Sequence, residues 1–369
     1  MDRICVLQNR ESTKKPPRGL YISTIIVVAL LAVTALLAGL RSMSVQASAV
    51  KVGLITQPGA LTDMGFNWLS YQGLLRAEGE LGVVGTVYTS TDPTELEPNV
   101  QQCALDGNDL CIGVGFYLSE AISNSAAVYS NTKFAIIDIS YENYLPNLRG
   151  MTFASEEVGY LAGTLAALMS QSDVIGDLGG MEIPTVIAFT ESYSNGARCA
   201  NPDITTIISY TGNFTDEFMG AQYAQSMIAQ GADVVFAAAG ATGNGAILTA
   251  TQSGVWAIGV DTDQYQTLFM SGTVPGSNYL LTSAMKRLDN GVFYTISDVV
   301  SGTFTSGTVT YDLSVDGVGL APFHEADASI PSGVRTQLAW VRRAIMAGLI
   351  DPLGPCAVIY RQYLPFTSR

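Results

Sequence analysis

Three aspartates stand where an α/β chain usually does its chemistry, directly after short apolar, β-branched runs. Asp63 lies in Asp63-Met64-Gly65-Phe66-Asn67, just beyond the run at 50–55; Asp138 closes the run at 134–138; Asp261 follows the run at 255–260. If these runs are strands of an open sheet, residues at their carboxyl ends border the crevice in which such sheets hold ligands. A carboxylate there can accept from two vicinal hydroxyls at once, each hydrogen bond to the charged group being worth roughly 1.5–3 kcal/mol. Gly240 and Gly243 follow the run at 233–237. They serve either a tight strand-to-helix turn or a close approach of backbone to ligand.

Catalytic chemistry finds little support. Gly240-Ala241-Thr242-Gly243-Asn244-Gly245 lacks the Lys-Ser/Thr ending of a phosphate-binding loop and is not Gly-x-Gly-x-x-Gly. A Gly-x-Ser-x-Gly elbow is missing. The one histidine, His324, sits in the loop-like Pro322-Phe323-His324-Glu325-Ala326-Asp327. There is no Cys-x-x-Cys, and metal-ligand spacing is absent. The carboxylates single out no pair for acid–base work. The chain is expected to be no enzyme, with no cofactor and no metal.

The elements that must hold these residues recur in alternation. Strand-like runs fall at 50–55, 83–88, 110–114 and 134–138, then at 185–189, 205–210, 233–237 and 255–260. Segments of helical spacing lie between them at 66–80, 120–129, 217–230 and 245–253, with 156–169 separating the two sets. Such a period suits βα units feeding parallel sheets, and strands without polar alternation suit sheets covered on both faces. Periodicity therefore predicts two tandem doubly wound halves. Beyond Asp261 the pattern changes to a strand at 279–282, a helix at 284–300, a strand at 308–313 and a helix at 334–347.

The 369 residues are 48% hydrophobic and 14% charged, with a formal net charge of −14, which excludes a disordered chain. Residues 1–49 carry six Lys/Arg and two Asp/Glu, leaving twelve basic against thirty acidic residues after them. So acidic a body is a poor partner for nucleic acid or anionic lipid. Five basic residues precede an uncharged apolar run at 20–40, and Ala47-Ser48-Ala49 follows it. This describes a secretory signal peptide. The run is also long enough to span the ~30 Å core of a bilayer, so an uncleaved anchor is the alternative, with membrane contact through that segment. Both place the body outside the cytoplasmic membrane, on its periplasmic or extracellular face. Four cysteines remain in the body: Cys103, Cys111, Cys199 and Cys356. An even count in an exported chain is compatible with two disulfides, Cys103–Cys111 across a Gly/Asn/Asp turn and then Cys199–Cys356. Four free buried thiols are the other reading.

Five segments together resemble the basic membrane protein family, which includes nucleoside receptors of ABC importers. They are Asp63-Met64-Gly65-Phe66-Asn67 with Tyr71-Gln72-Gly73-Leu74; Glu156-Glu157-Val158-Gly159-Tyr160-Leu161-Ala162-Gly163; Gly231-Ala232-Asp233-Val234-Val235-Phe236 running into Ala239 to Gly245; Ala257-Ile258-Gly259-Val260-Asp261-Thr262-Asp263-Gln264; and Leu281-Thr282-Ser283-Ala284-Met285-Lys286. They occur in the family's order across roughly residues 51–320. The resemblance implies the type I periplasmic-binding-protein fold, an α/β fold of two parallel-sheet lobes joined by crossover strands. A small nucleoside-like ligand would close between the lobes, and permease subunits of the importer would be the protein partners. Lobe 1 is expected at 50–155 with 280–325, and lobe 2 at 156–279 with 326–369.

Under that resemblance, Phe66 and Phe214 are the aromatic plates, base stacking being worth roughly 1–3 kcal/mol; packing at helix starts is the alternative for both. Asp261 accepts from ribose hydroxyls, and Lys286 donates while offsetting the carboxylate's desolvation; a solvated helix residue is the alternative for Lys286. Asn67 and Asp138 are partners for the base edge or hydroxyls, and Asp63 and Gly240 complete the set. One position departs from the pattern: where nucleoside-binding members carry an acid after the Thr that ends strand one, this chain has Gln57. The amide can still read a base edge, but it both donates and accepts. A membrane-anchored sensory module of the same fold, binding another small polar solute, is the second functional reading.

Overall fold

The computed structural model describes residues 49–356 apart from Ala60 and Asp63. The leader, Asp63 and residues 357–369 lie outside the described residues. The first half alternates β1 (Lys51–Thr56), α1 (Phe66–Leu81), β2 (Val84–Tyr88), α2 (Leu96–Leu105), β3 (Leu110–Val114), α3 (Ser119–Val128), β4 (Lys133–Ile137) and β5 (Leu148–Phe153). The second half runs α4 (Ser155–Met169), β6 (Val174–Gly179), α5 (Pro184–Ala200), β7 (Thr205–Tyr210), α6 (Glu217–Ala229), β8 (Val234–Ala238), α7 (Gly240–Gln252), β9 (Trp256–Asp261) and β10 (Leu280–Lys286). It is followed by α8 (Leu288–Ser301), β11 (Gly307–Tyr311), β12 (Val318–Leu320) and α9 (Ser332–Met346).

These strands form two six-stranded sheets, ordered β11-β5-β4-β3-β1-β2 and β12-β10-β9-β8-β6-β7. All pairings are parallel except β10 with β12. The inner strands β3 and β8 are buried throughout, whereas the edge strands β2 and β7 are not. That is the burial expected of sheets covered on both faces. The chain crosses between the sheets three times among the described residues: from β5 to β6, from β10 to β11, and from β11 to β12.

Several expectations need correction. Residues 280–325 do not all belong to the first lobe: β10 pairs with β9, and β12 with β10, so only α8 and β11 of that stretch lie with the first sheet. Residues 284–286 finish β10 rather than opening a helix. Residues 185–189 are not a strand but the first turns of α5, where Pro184 occupies a first-turn position that needs no N–H. Val186, Phe189, Tyr193, Ala197 and Ala200 then bury one helical face. Two strands, β5 and β6, had no counterpart in the apolar pattern, and each carries a buried ionisable side chain. Arg149 on β5 is 1% exposed, pairing with Asp298 at 2.6 Å and donating to the Thr305 carbonyl at 2.9 Å.

Asp177 on β6 is fully buried, and among the described residues neither carboxyl oxygen has a hydrogen-bond partner. It is in register with Phe236, which stacks on Tyr193 at 4.9 Å, so the carboxyl shares its sheet face with an aromatic pair. Burial pushes its pKa well above the ordinary carboxylate value. The folded chain therefore keeps the proton, while the unfolded chain releases it above about pH 4. Folding stability is lost as pH rises from there toward the raised pKa, by up to about 1.4 kcal/mol per pH unit. Asp177→Asn keeps the shape and cannot ionise. It is expected to raise the melting temperature at pH 7 by roughly 2–4 °C or more, with the gain vanishing near pH 4. Thermal melts across pH check this, and a fall in melting temperature at pH 7 would contradict it.

Cys103 on α2 is disulfide-bonded to Cys111 on β3, and Cys199 on α5 to Cys356. Among the described residues no helix is long and apolar enough to cross a membrane.

Candidate functional site

A cleft of about 1110 Å³ of empty space, counted to its open mouth, lies at the carboxyl ends of both sheets. Of the residues singled out in the sequence, Gln57, Phe66, Asn67, Asp138, Phe214, Gly240, Asp261 and Lys286 all border it. Asp63 lies outside the described residues. Each is delivered by the end of an element. Gln57 follows β1 and Asp138 follows β4, Asp261 closes β9, and Lys286 closes β10. Phe66 opens α1 on the first half, and Phe214 lies in the loop between β7 and α6 on the second.

Asp138 and Asp261 lie at the ends of corresponding strands of the two sheets, β4 and β9, each the fourth from the edge formed by β2 or β7. Both take left-handed backbone, with φ of 69° and 63°. That conformation is uncommon outside glycine and is best tolerated by Asp and Asn. It turns the chain sharply at the strand end.

Lys286 is 2% exposed. Although it belongs to the second sheet, its Nζ bonds Asp138 Oδ2 at the end of the first. It also donates to Thr185 Oγ1 at 3.1 Å, and it lies 5.2 Å from the Phe66 ring centroid and 5.5 Å from that of Phe153. Cation–π attraction at such distances is worth about 0.5–2 kcal/mol. Asp261 sits near both charges. Burial pushes its pKa up to about 6; Lys286 pulls it down, and Asp138 pushes it up. Near neutral pH the Asp261 carboxylate is therefore ionised, and it protonates in mild acid.

The first-half wall is lined with amides. Asn67, 4% exposed, donates through Nδ2 to the Gln57 carbonyl at 3.1 Å. Among the described residues, Asn67 Oδ1 and Gln57 Oε1 are buried without a hydrogen-bond partner. On the second half, Gly240 takes φ 57° and opens α7 immediately after β8, the tight turn foreseen for it, while also bordering the cleft. The Phe214 ring lies so close against Gly180 that a Cβ there would stand 2.2 Å from it.

Thr185, Asn244, Gln264 and Thr267 also border the cleft and were missed in the sequence. Thr185 was hidden by the misread strand at 185–189. Gln264 and Asn244, bonded to one another at 2.7 Å, stood inside recognised segments but at positions with no signal of their own. Among the described residues no three His, Cys, Asp or Glu side chains could hold a metal ion.

Two parallel-sheet α/β lobes with a polar and aromatic cleft at their carboxyl ends define a solute-binding protein of the periplasmic-binding-protein fold. The chain belongs to the Bmp family, whose model, described as ABC transporter substrate-binding protein PnrA-like, matches residues 49–338. It is 33% identical over 310 residues to the ABC transporter nucleoside-binding protein BmpA of Lactococcus lactis, covering 79% of this chain and 88% of that one. It is 32% identical to basic membrane protein D of Borreliella burgdorferi, covering 83% and 88%. Among solved structures it resembles an ABC transporter solute-binding protein from Aeropyrum pernix, with 27% identity, a TM-score of 0.71 and coverage of 82% and 92%. The family is one of solute-binding proteins, not of enzymes.

Proposed function

We propose that this chain is the extracytoplasmic receptor of an ABC importer, binding a nucleoside between its two lobes and presenting it to the permease subunits. The observation that carries the reading is the content of one cleft: an aromatic ring from each half, and two carboxylates around a buried lysine. Phe66 and Phe214 would take the two faces of a base, and Asp138, Asp261 and Lys286 the ribose hydroxyls. Gln57 and Asn67 would meet the base edge. A nucleoside is uncharged, which suits a site whose one lysine among the described residues is already paired with a carboxylate. Residues 1–49 would export the body or anchor it, and closure of the lobes about the three crossings would trap the solute.

A thermal-shift screen of nucleosides, nucleobases, sugars and amino acids tests this. A nucleoside at 100 times its dissociation constant should add about 2.7 kcal/mol, or roughly 5 °C. Asp261→Ala should abolish that shift and leave the fold intact. If another class shifts the melt and no nucleoside does, the nucleoside assignment is wrong.

A further inference from the structure

His324, the chain's one histidine, takes no part in the cleft, yet its surroundings are unusually ordered. Its ring stacks on Tyr265, with centroids 4.1 Å apart and planes within 10°. Its Nε2 meets Asp263 Oδ2 at 2.8 Å. A carboxylate only accepts, so Nε2 carries the hydrogen. The backbone of His324 is held at φ 45°. Left-handed backbone at a non-glycine residue costs of order 1 kcal/mol and persists only where surrounding contacts impose it.

Those contacts all fall on one segment, the loop 262–279 between β9 and β10. Glu325, the next residue, accepts from Ser277 Oγ at 2.6 Å. His324 and Glu325 therefore grip the loop at both its beginning and its end. The beginning is the part that borders the cleft. The Asp263 carbonyl accepts from the Gln266 and Thr267 amides at 2.9 and 3.1 Å, and Thr262 and Thr267 share a hydroxyl bond of 3.0 Å. Thr262, Gln264 and Thr267 of this turn all border the cleft.

We propose that His324 is a positioning residue: through Asp263 and Tyr265 it fixes the turn that presents Thr262, Gln264 and Thr267 to the solute. The grip is delivered from the segment after β12, so the crossing from β11 to β12 and the cleft wall are mechanically joined. The consequence for affinity rests on the nucleoside reading; the consequence for loop order does not.

Two variants separate the two contacts of His324. His324→Phe keeps a ring for Tyr265 and loses the donor to Asp263, whereas His324→Gln keeps a donor and loses the ring. Hydrogen exchange of the purified protein without added solute should show peptides of 262–279 exchanging about 10-fold faster in His324→Phe, with the rest of the second half unchanged. His324→Gln should stay within about 3-fold of the parent. Calorimetry with adenosine should show about 10-fold weaker binding for His324→Phe, recovered in His324→Gln. If His324→Phe does not fold, Asp263→Ala removes the same bond from the other side and is read in the same way. Unchanged exchange at 262–279, equal loosening of the whole half, or no rescue by glutamine would overturn the proposal. If the parent binds no nucleoside, the functional reading fails, and the exchange result still decides this one.

Discussion

Lys286→Met is expected to abolish solute binding and to lower the melting temperature at pH 7 by roughly 6–10 °C. Methionine fills the lysine's volume, so the effect isolates the charge. Lys286 and Asp138 are 2% and 6% exposed, and removing one member of a buried ion pair typically costs about 3–5 kcal/mol because the other charge is left uncompensated. Asp261 compounds the loss, since Lys286 is the influence that lowers its pKa from the level set by burial. In the variant the Asp261 carboxyl, no longer held down by the lysine, would be driven further toward protonation. The folded state would then bind more protons than the unfolded one, so stability would rise as pH falls. The deficit should be largest at pH 7 and shrink below pH 6. Adding Asp138→Asn should restore much of the melting temperature at neutral pH but not binding. Melts across pH with calorimetry on both variants check this. A single variant that binds within about 3-fold of the parent, or a deficit independent of pH, would show that Lys286 is neither contact nor counter-ion.

Loss of the Cys199–Cys356 bond is expected to be nearly as damaging to stability and harmless to binding. The bond closes a separation of 157 residues. On the chain-entropy account, a loop of that length stabilises by about 5 kcal/mol, with measured effects of about 2–5 kcal/mol. The tail is also gripped by Asn195, whose Nδ2 donates to the carbonyls of Pro352 and Gly354 at 2.8 and 2.7 Å. These bonds should loosen once the bridge is gone. Cys199→Ser with Cys356→Ser should lower the melting temperature by roughly 5–10 °C, and a reductant should do the same to the parent. Solute affinity should stay within about 2-fold, because the bridge lies away from the cleft. A reduced parent that melts unchanged would mean the bridge contributes nothing to folding.

Much of this molecule could be read from its sequence because the signal was local. Strands such as β3 and β8 are uninterrupted apolar runs, and the residues that close them are the ones that border the cleft. Reading failed where a residue's reason for being buried was distant. Arg149 and Asp177 break the apolar runs of β5 and β6, and nothing nearby in sequence says that each is enclosed. At 185–189 a β-branched run imitates a strand, and only the proline before it and the helical spacing after it reveal α5. That error concealed Thr185, and with it one of the partners of Lys286. The lysine itself was legible; its bond to Asp138, 148 residues away on the other sheet, was not. The lobe boundary failed for the same reason, since β10 and β11 are consecutive in sequence but belong to different sheets.

The two disulfides divide the molecule in a telling way. One joins α2 to β3 on the first half, the other joins α5 to the tail beside it, and neither links the halves. Among the described contacts that span the gap are the backbone at its three crossings, the Lys286–Asp138 pair, Lys286 over the Phe66 and Phe153 rings, and the Tyr117 hydroxyl against Met181 sulfur at 3.4 Å. An oxidising environment therefore hardens each part without welding the joint. Durability is assigned to bonds within each half, so cross-linking there would toughen the protein without obstructing the closure proposed above.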